Sequence, residues 1–200
     1  MRVDPDRPQG QTREARADLG VSGFIWTGGR PALDLCNTRL GEREYLVAPA
    51  DLARWVVEAG LLRASVPVSD QELWAARALR DGLRAGLLTG DRERVGAVAH
   101  AWLASAPGRL CVEGTTLETR FTPGAETAYC ALVTAVLDAL ELARHWAGRV
   151  RECASQACPV IFLDTSRNGS RRWCSMERCG ARAKATAYYQ RHRGSSPPLV

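Results

Sequence analysis

Four cysteines near the C-terminus constrain the fold of this chain more than any other feature of its sequence. They follow the pattern C-x4-C-x15-C-x4-C and are Cys153, Cys158, Cys174 and Cys179. Two close pairs that bracket a short loop let four thiolates converge on one tetrahedral ion, and Zn²⁺ is the ion expected for an all-sulfur site. A segment of about forty residues has too small a core to fold without such support. The pattern therefore predicts one structural zinc ion in a C-terminal finger.

The residues between the two pairs predict how this finger folds. The run VIFLD is typical of a strand, the Asn168-Gly169 dipeptide of a turn, and RRWC of the returning strand. The second cysteine pair then lies where the hairpin leads into a helix, whose N-terminus favours thiolates. We therefore expect a treble-clef-like or zinc-ribbon-like four-Cys finger, in which a hairpin is followed by a helix. Phe162 and Trp173 are expected to form its small core.

Three other uses of the four cysteines stay open from the sequence. An iron–sulfur cluster takes the same four thiolates, disulfides require an oxidising compartment, and the cysteines could be ordinary core residues. The N-terminal residues include no apolar stretch of the kind found in secretory signals, and no window is long and apolar enough for a transmembrane helix. We therefore expect a cytoplasmic protein with reduced thiols. Catalytic zinc is not expected, because four cysteines close the coordination shell.

Basic residues are concentrated in the same C-terminal segment. Residues 149–200 contain ten Lys or Arg and three Asp or Glu, a net charge of +7, whereas the first 148 residues carry 17 basic and 19 acidic side chains, a net charge of −2. Clustered arginine beside aromatic residues is expected of a surface that binds a polyanion. The chain has 26 arginines and one lysine, so the use of Arg in place of Lys in this segment does not indicate a function. The clustering of the basic residues does.

The helix of the finger is the expected contact with DNA. A helix from Glu177 to Arg193 has a basic face that fits the major groove, and arginines of the preceding hairpin can hold the phosphate backbone. The predicted DNA-binding residues are Arg167, Arg171, Arg172, Arg178, Arg182, Lys184, Arg191 and Arg193. Arg182 has an alternative role as a brace against a carbonyl or Asp164. A protein or RNA partner of the finger is the alternative to DNA.

The first 148 residues predict a mostly helical domain. The segment PADLARWVVEAGLL has apolar residues at helical spacing, with Asp51 near its start. The next helix begins at a capping box, Ser69 with Glu72, and ends at Gly90, after which Asp91 can cap a further helix. The runs RLCVEG and TTLETRF alternate apolar with polar residues and predict a small β-hairpin. The fold class is therefore α+β.

A long helix from about residue 125 to residue 150 is predicted to lead into the finger. Its apolar stripe packs in the core or against a second subunit, and we expect the core. The stripe consists of Tyr129, Val133, Val136, Leu140, Ala143, Ala147 and Val150. The chain then divides into a disordered tail (1–22), a helical domain (23–148), the finger (149–194) and a second disordered tail (195–200).

A polar cluster near the start of the helical domain consists of Asp34, Asn37 and Thr38. It could bind a ligand, but we expect these residues to tie down a helix start. The other three cysteines lie among apolar neighbours and are expected in the core: Cys36, Cys111 and Cys130. No nucleophile–base arrangement and no phosphate-binding glycine loop can be argued from the sequence, so we do not expect an enzyme.

The finger segment resembles the CGNR zinc finger of bacterial proteins. That family shows C-x4-C, then F-x-D-x-S with arginines, then W-C-x4-C-G-N-R and a basic helix. The matching residues are Cys153, Cys158, Phe162, Asp164, Ser166, Arg171, Arg172, Trp173, Cys174, Cys179, Gly180, Arg182 and Lys184. The family's Asn is Ala181 here, which removes a side-chain amide but no metal ligand.

The N-terminal part is similar to the ABATE domain that usually precedes this finger. The segments that carry the similarity are GGRPALDLCNT (28–38) and PADLARWVVEAGLL (49–62). The resemblance implies a stress-induced transcription regulator, and hence DNA as the partner and the nucleoid as the location in the cytoplasm. Two further partners are compatible with this resemblance. One is a second copy of the chain, since a homodimer would pair two fingers on a two-fold DNA site, and the other is a small-molecule effector of the N-terminal domain.

Overall fold

A computed structural model describes residues 23–26, 30–105, 108–113, 116–121 and 127–192 of the chain. The tails predicted at 1–22 and 195–200 lie outside the described residues, as does Arg193. For the hairpin between residues 108 and 121 only the backbone is described, so the prediction for Cys111 also lies outside them. Within the described part of the chain, no helix is long and apolar enough to cross a membrane.

Helices form most of the described structure. They are α1 (Pro31–Cys36), α2 (Pro49–Glu58), α3 (Asp70–Thr89), α4 (Arg92–Ser105), α5 (Ala128–His145) and α6 (Ala181–His192). The strands pair as antiparallel hairpins: β1 (Arg39–Leu40) with β2 (Arg43–Glu44), β3 (Gly108–Glu113) with β4 (Thr116–Phe121), and β5 (Val150–Glu152) with β6 (Ile161–Leu163). The predicted fold class, a mostly helical α+β protein with a small hairpin, is confirmed.

The helix ends follow the predicted capping residues. The Asp51 carboxylate accepts the backbone N–H groups of Val47 and Ala48 in front of α2, at 3.0 and 2.9 Å. At the start of α3 the Ser69 hydroxyl accepts the Glu72 amide at 3.2 Å, and the Glu72 carboxylate accepts the Ser69 amide at 2.8 Å. These bonds satisfy N–H groups that have no partner within the helix. Gly90 ends α3 in the left-handed conformation, with φ of 70°.

The main core lies between α3, α4 and α5, with α1 packed on α3 and α5. Val133 and Val136 of α5 are buried, and the Tyr129 ring stacks on Trp102 with 3.8 Å between ring centroids. The part of the predicted stripe that lies in α5, from Tyr129 to Ala143, therefore packs inside the molecule, as expected, whereas Ala147 is exposed beyond the end of the helix and Val150 is buried in β5. The helix ends at His145 and not near residue 150, because the chain turns at Gly148, whose φ is 77°, and enters β5.

Strand β6 connects the main core to the finger. Ile161 and Leu163 pack into the main core, whereas Phe162 packs on the opposite side with the cysteines, as the alternation of side chains along a strand requires. The partner of β6 is β5, with Ile161 opposite Glu152. The prediction that RRWC forms the returning strand is wrong: residues 171–174 form a loop.

Candidate metal centre and basic helix

The four cysteines predicted as ligands meet at one point in the finger. All four sulfur atoms lie within 4.8 Å of one another, and all four residues are buried. The Sγ atoms of Cys158 and Cys174 are 3.6 Å apart, and those of Cys174 and Cys179 are 3.7 Å apart. A tetrahedral zinc site with metal–sulfur bonds of about 2.3 Å has sulfur–sulfur edges of about 3.8 Å. The size of the cluster therefore fits one zinc ion, whereas disulfide sulfurs are only about 2.05 Å apart.

Backbone hydrogen bonds shape the two loops that present the cysteines. Cys153 and Cys158 lie in the connection from β5 to β6, where the Cys153 amide donates to the Val160 carbonyl at 2.9 Å. Cys179 lies in a π-helical turn, Met176–Gly180, in front of which the Ser175 hydroxyl accepts the Arg178 N–H at 3.3 Å. The second pair thus lies at a helix start, as predicted. The first pair lies within the hairpin rather than in front of it, because β5 and not RRWC pairs with β6.

The thiols of the cluster shift one another's pKa values. A hydrogen bond from Cys174 lowers the pKa of the Cys158 thiol to about 5, and the same pairing raises the pKa of Cys174. Burial raises the pKa of Cys179 to about 11. Neighbouring thiolates repel one another, so a divalent cation is needed for all four cysteines to lose their protons together. A site of this kind binds metal and releases protons in one step.

A small apolar cluster surrounds the metal centre. Phe162 is fully buried beside the cysteines, and Trp173 packs against them, which confirms the expectation that both belong to the core of the finger. Two residues from the N-terminal region, Ile25 and Leu40, complete the cluster. Sequence reasoning missed these two, because nothing in their local spacing connects them with cysteines more than 100 residues away.

Asp164 organises the loop between the two cysteine pairs. Its buried carboxylate accepts the Ser166 amide at 2.9 Å, the Ser166 hydroxyl at 2.5 Å and the Arg171 amide at 3.1 Å. The Arg151 guanidinium lies 3.4 Å away. Burial acts to raise the pKa of Asp164, but these hydrogen bonds and the nearby positive charge outweigh it and lower the pKa. Asp164 therefore stays ionised and holds the loop closed.

Arg171 is half-buried and bonds the backbone of the finger. Its Nε donates to the Trp173 carbonyl at 2.9 Å, and its Nη2 donates to the carbonyl of the ligand residue Cys174. The guanidinium also lies over the Phe162 ring, 4.8 Å from the centroid. Its Nε and Nη2 donors are thus used inside the finger, although the sequence predicted it as a DNA-binding residue. Arg172, by contrast, is exposed and lies over the Trp173 ring at 5.2 Å.

Helix α6 extends from the metal centre and buries none of its residues. Arg182, Lys184 and Arg191 are exposed on it, and Arg167 is exposed on the Asp164 loop. Arg178, within the π-helical turn, is half-buried. The alternative role of Arg182 is a brace against a carbonyl or Asp164. A contact with Asp164 is not seen among the described residues, since the partners of that carboxylate are those given above.

The polar cluster near α1 spans both ends of that helix: Asp34 lies in its first turn, whereas Asn37 and Thr38 follow its last residue. Asn37 and Thr38 are buried, whereas Asp34 is half-buried in the first turn of α1. The Thr38 hydroxyl donates to the Leu35 carbonyl at 2.6 Å. The Asn37 side chain bonds both backbone groups of Ile161 in β6: its Oδ1 accepts the N–H at 2.9 Å and its Nδ2 donates to the carbonyl at 3.0 Å. Both residues therefore tie the structure together, and Asn37 does so across to the finger.

Comparison with known protein families agrees with these features. Residues 149–192 match the CGNR zinc finger, and these residues contain all four cysteines. Residues 29–146 match the ABATE family, whose description is "Putative stress-induced transcription regulator". No curated protein matches the chain. Because the ABATE match covers more than half of the sequence, the chain belongs to the ABATE family and carries a C-terminal CGNR zinc finger for one structural zinc ion.

Proposed function

We propose that this protein is a transcription regulator that binds duplex DNA through α6. The observation that carries the proposal is the exposure of this helix, which buries none of its twelve residues. A short helix without a buried face gains little stability from packing, so α6 contributes little to the core of the finger. Its first turn is fixed by the Cys179 loop, which presents the rest of the helix to solvent. That arrangement suits insertion into the major groove.

The exposed cations in and around α6 supply the expected phosphate and base contacts. Arg182 and Lys184 lie near the start of the helix, and Arg191 lies near its end. Arg167 and Arg172 extend the basic surface onto the Asp164 loop. We propose that these five residues contact DNA and that Arg171 supports the metal-binding loop instead. Arg178 is half-buried beside the ligand Cys179 and belongs to the edge of this surface.

A protein partner is the second candidate, and one observation favours it. Tyr188 and Tyr189 on α6 are 53% and 68% exposed. Exposed tyrosines are enriched at protein interfaces, although they also stack on bases. A partner that stays bound in a pull-down after nuclease treatment, from a protein that binds no duplex DNA or RNA, would favour this alternative. The four-thiolate site offers no open position for chemistry, so neither candidate involves catalysis.

The remaining partners of the protein are still predictions. The α5 stripe packs in the core, so a homodimer would have to use another surface. Asn37 and Thr38 are engaged inside the structure, so an effector of the N-terminal region would have to bind elsewhere. We propose a cytoplasmic, nucleoid-associated location, since DNA is the proposed partner.

We predict that the double variant Arg182→Ala/Lys184→Ala binds genomic duplex fragments at least about tenfold more weakly than wild type at low salt. Each lost phosphate contact also reduces the slope of log affinity against log salt concentration by about one unit. Fluorescence anisotropy across a salt series measures both quantities.

The matched control is Arg92→Ala/Arg94→Ala, which removes the same charge from exposed positions on α4. It should change affinity little. Equal losses in the two double variants would mean that only net charge matters, and absence of binding by the wild type at low salt would rule the proposal out.

A further inference from the structure

We propose that Asn37 and Arg84, two residues of the N-terminal helical region, are positioning residues of the metal centre. They hold the connection from β5 to β6, which carries Cys153 and Cys158. Retention of zinc by the finger then depends on the ABATE region as well as on the four ligands. The finger is in this respect not an independent module.

Asn37 holds the strand that follows the first cysteine pair. Its side-chain amide bonds the N–H and the carbonyl of Ile161 at 2.9 and 3.0 Å, as a neighbouring strand would. Ile161 lies three residues after the ligand Cys158, and both Asn37 and Ile161 are fully buried. Because the two bonds hold both backbone groups of one residue, they fix the orientation of β6 and its position along the strand direction relative to the end of α1. The position of Cys158 follows from that of the strand.

Arg84 of α3 contacts the residues that flank this ligand loop on both sides. Its Nη2 donates to the Pro159 carbonyl at 2.8 Å, and the same nitrogen lies 3.2 Å from a Glu152 carboxylate oxygen. Glu152 directly precedes Cys153, and Pro159 directly follows Cys158. One guanidinium therefore links the two ends of the loop to α3.

Within the finger, the ligand loop is also supported by two backbone bonds of 2.9 Å, from the Cys153 amide to the Val160 carbonyl and from the Ala154 amide to the Arg172 carbonyl. Ala154, Gln156 and Ala157 are exposed, so the loop itself packs little against the molecule. On its inner side, Ile25 from the N-terminal region packs with the cysteines. Preorganised ligands bind metal more tightly than ligands that must be ordered on binding, and loss of one partner behind the ligands costs about 10- to 100-fold in metal affinity. Asn37 and Arg84 act one step further out, because they bond residues close to the ligands in the chain and not the cysteines themselves.

The first test compares Asn37→Ala with Thr38→Val in the full-length, zinc-loaded protein without DNA. Zinc release to an excess of chelator is followed with a zinc-sensitive dye, and thermal stability is measured in parallel. Asn37→Ala should release zinc about tenfold faster than wild type. Thr38 is equally buried and adjacent, but its hydroxyl bonds within the N-terminal region, so Thr38→Val should lower thermal stability and leave the release rate unchanged.

The second test compares Arg84→Met with Arg77→Met. Both arginines lie on α3 and donate to backbone carbonyls, but Arg77 bonds Leu46 and Val47, which are remote from the cysteines in sequence. Arg84→Met should speed zinc release about two- to tenfold, and Arg77→Met should not. Both arginine side chains are partly exposed, so we expect the two methionine variants to fold. They therefore test the proposal even if Asn37→Ala does not fold.

Release rates of Asn37→Ala and Arg84→Met that equal those of their controls would overturn the proposal. The readout contains no DNA, so this result is independent of whether α6 binds DNA.

Discussion

Replacing Cys158 by serine is expected to abolish stable zinc binding and to unfold the finger. The Cys158 sulfur lies 3.6 Å from that of Cys174 in the cluster, and a serine hydroxyl neither reaches the ion as a thiolate does nor loses its proton at neutral pH. The apolar cluster around the site is small and includes Phe162, Val160 and Ile25. Zinc supplies roughly 10–16 kcal/mol of apparent binding energy in isolated finger peptides. Its loss exceeds what that cluster can replace.

Zinc content and hydrogen exchange measure this effect together. Wild type should hold one zinc per chain and protect the Cys153 and Cys179 amides, which donate to backbone carbonyls. Cys158→Ser should hold less than one zinc and exchange rapidly at both. The matched control is Cys130→Ser, a fully buried cysteine of α5 outside the cluster, which should keep its zinc. A Cys158→Ser protein with full zinc content and unchanged protection would contradict the assignment of the site.

Asp164→Ala is expected to cost about 2–4 kcal/mol in the free energy of unfolding of the zinc-loaded protein. The carboxylate accepts three hydrogen bonds from Ser166 and the Arg171 amide, and all of these donors lose their acceptor in the variant. Arg171 also carries two donor bonds to the backbone beside the ligand Cys174. The loop between the cysteine pairs should therefore loosen as a unit.

Denaturant unfolding with zinc present measures this cost. Asp164→Asn keeps one acceptor oxygen for the Ser166 groups but turns an amide toward the Arg171 N–H, so its stability should lie between that of wild type and Asp164→Ala. Glu177→Ala removes an exposed acid from the same finger and should change stability by less than about 0.5 kcal/mol. Equal stability of Asp164→Ala and Glu177→Ala would show that the carboxylate does not organise the loop.

Local patterns in the sequence were sufficient for the metal ligands and for the helix ends. Paired cysteines, the capping box at Ser69 and the stop at Gly90 are each encoded within a few residues, so periodicity and spacing predict them. The strand pairing of the finger was not predictable in this way. Both β5 and RRWC are short and either could pair with β6 on local sequence alone, and the structure pairs β5 with it.

The other features that the sequence did not predict depend on contacts between segments that are distant in sequence. Asn37 and Ile161 are 124 residues apart, and no local pattern indicates that an asparagine at the end of α1 pairs with a strand of the finger. Charge clustering has a related limit, because it locates a basic segment without giving the direction of each side chain. Arg171 and Arg172 are neighbours in sequence, yet the first bonds the Cys174 loop and the second is exposed.

Selection of bound sequences from a random pool of duplex DNA tests the central claim most directly, because it examines both binding and base readout by α6. The zinc-loaded protein is expected to enrich a defined motif over successive rounds. Its Arg182→Ala/Lys184→Ala variant and the zinc-stripped protein should enrich none, because the first lacks cations of α6 and the second lacks the support at the start of the helix. A zinc-loaded protein that retains no duplex at low salt, or that enriches the same motif after zinc removal, would contradict the account.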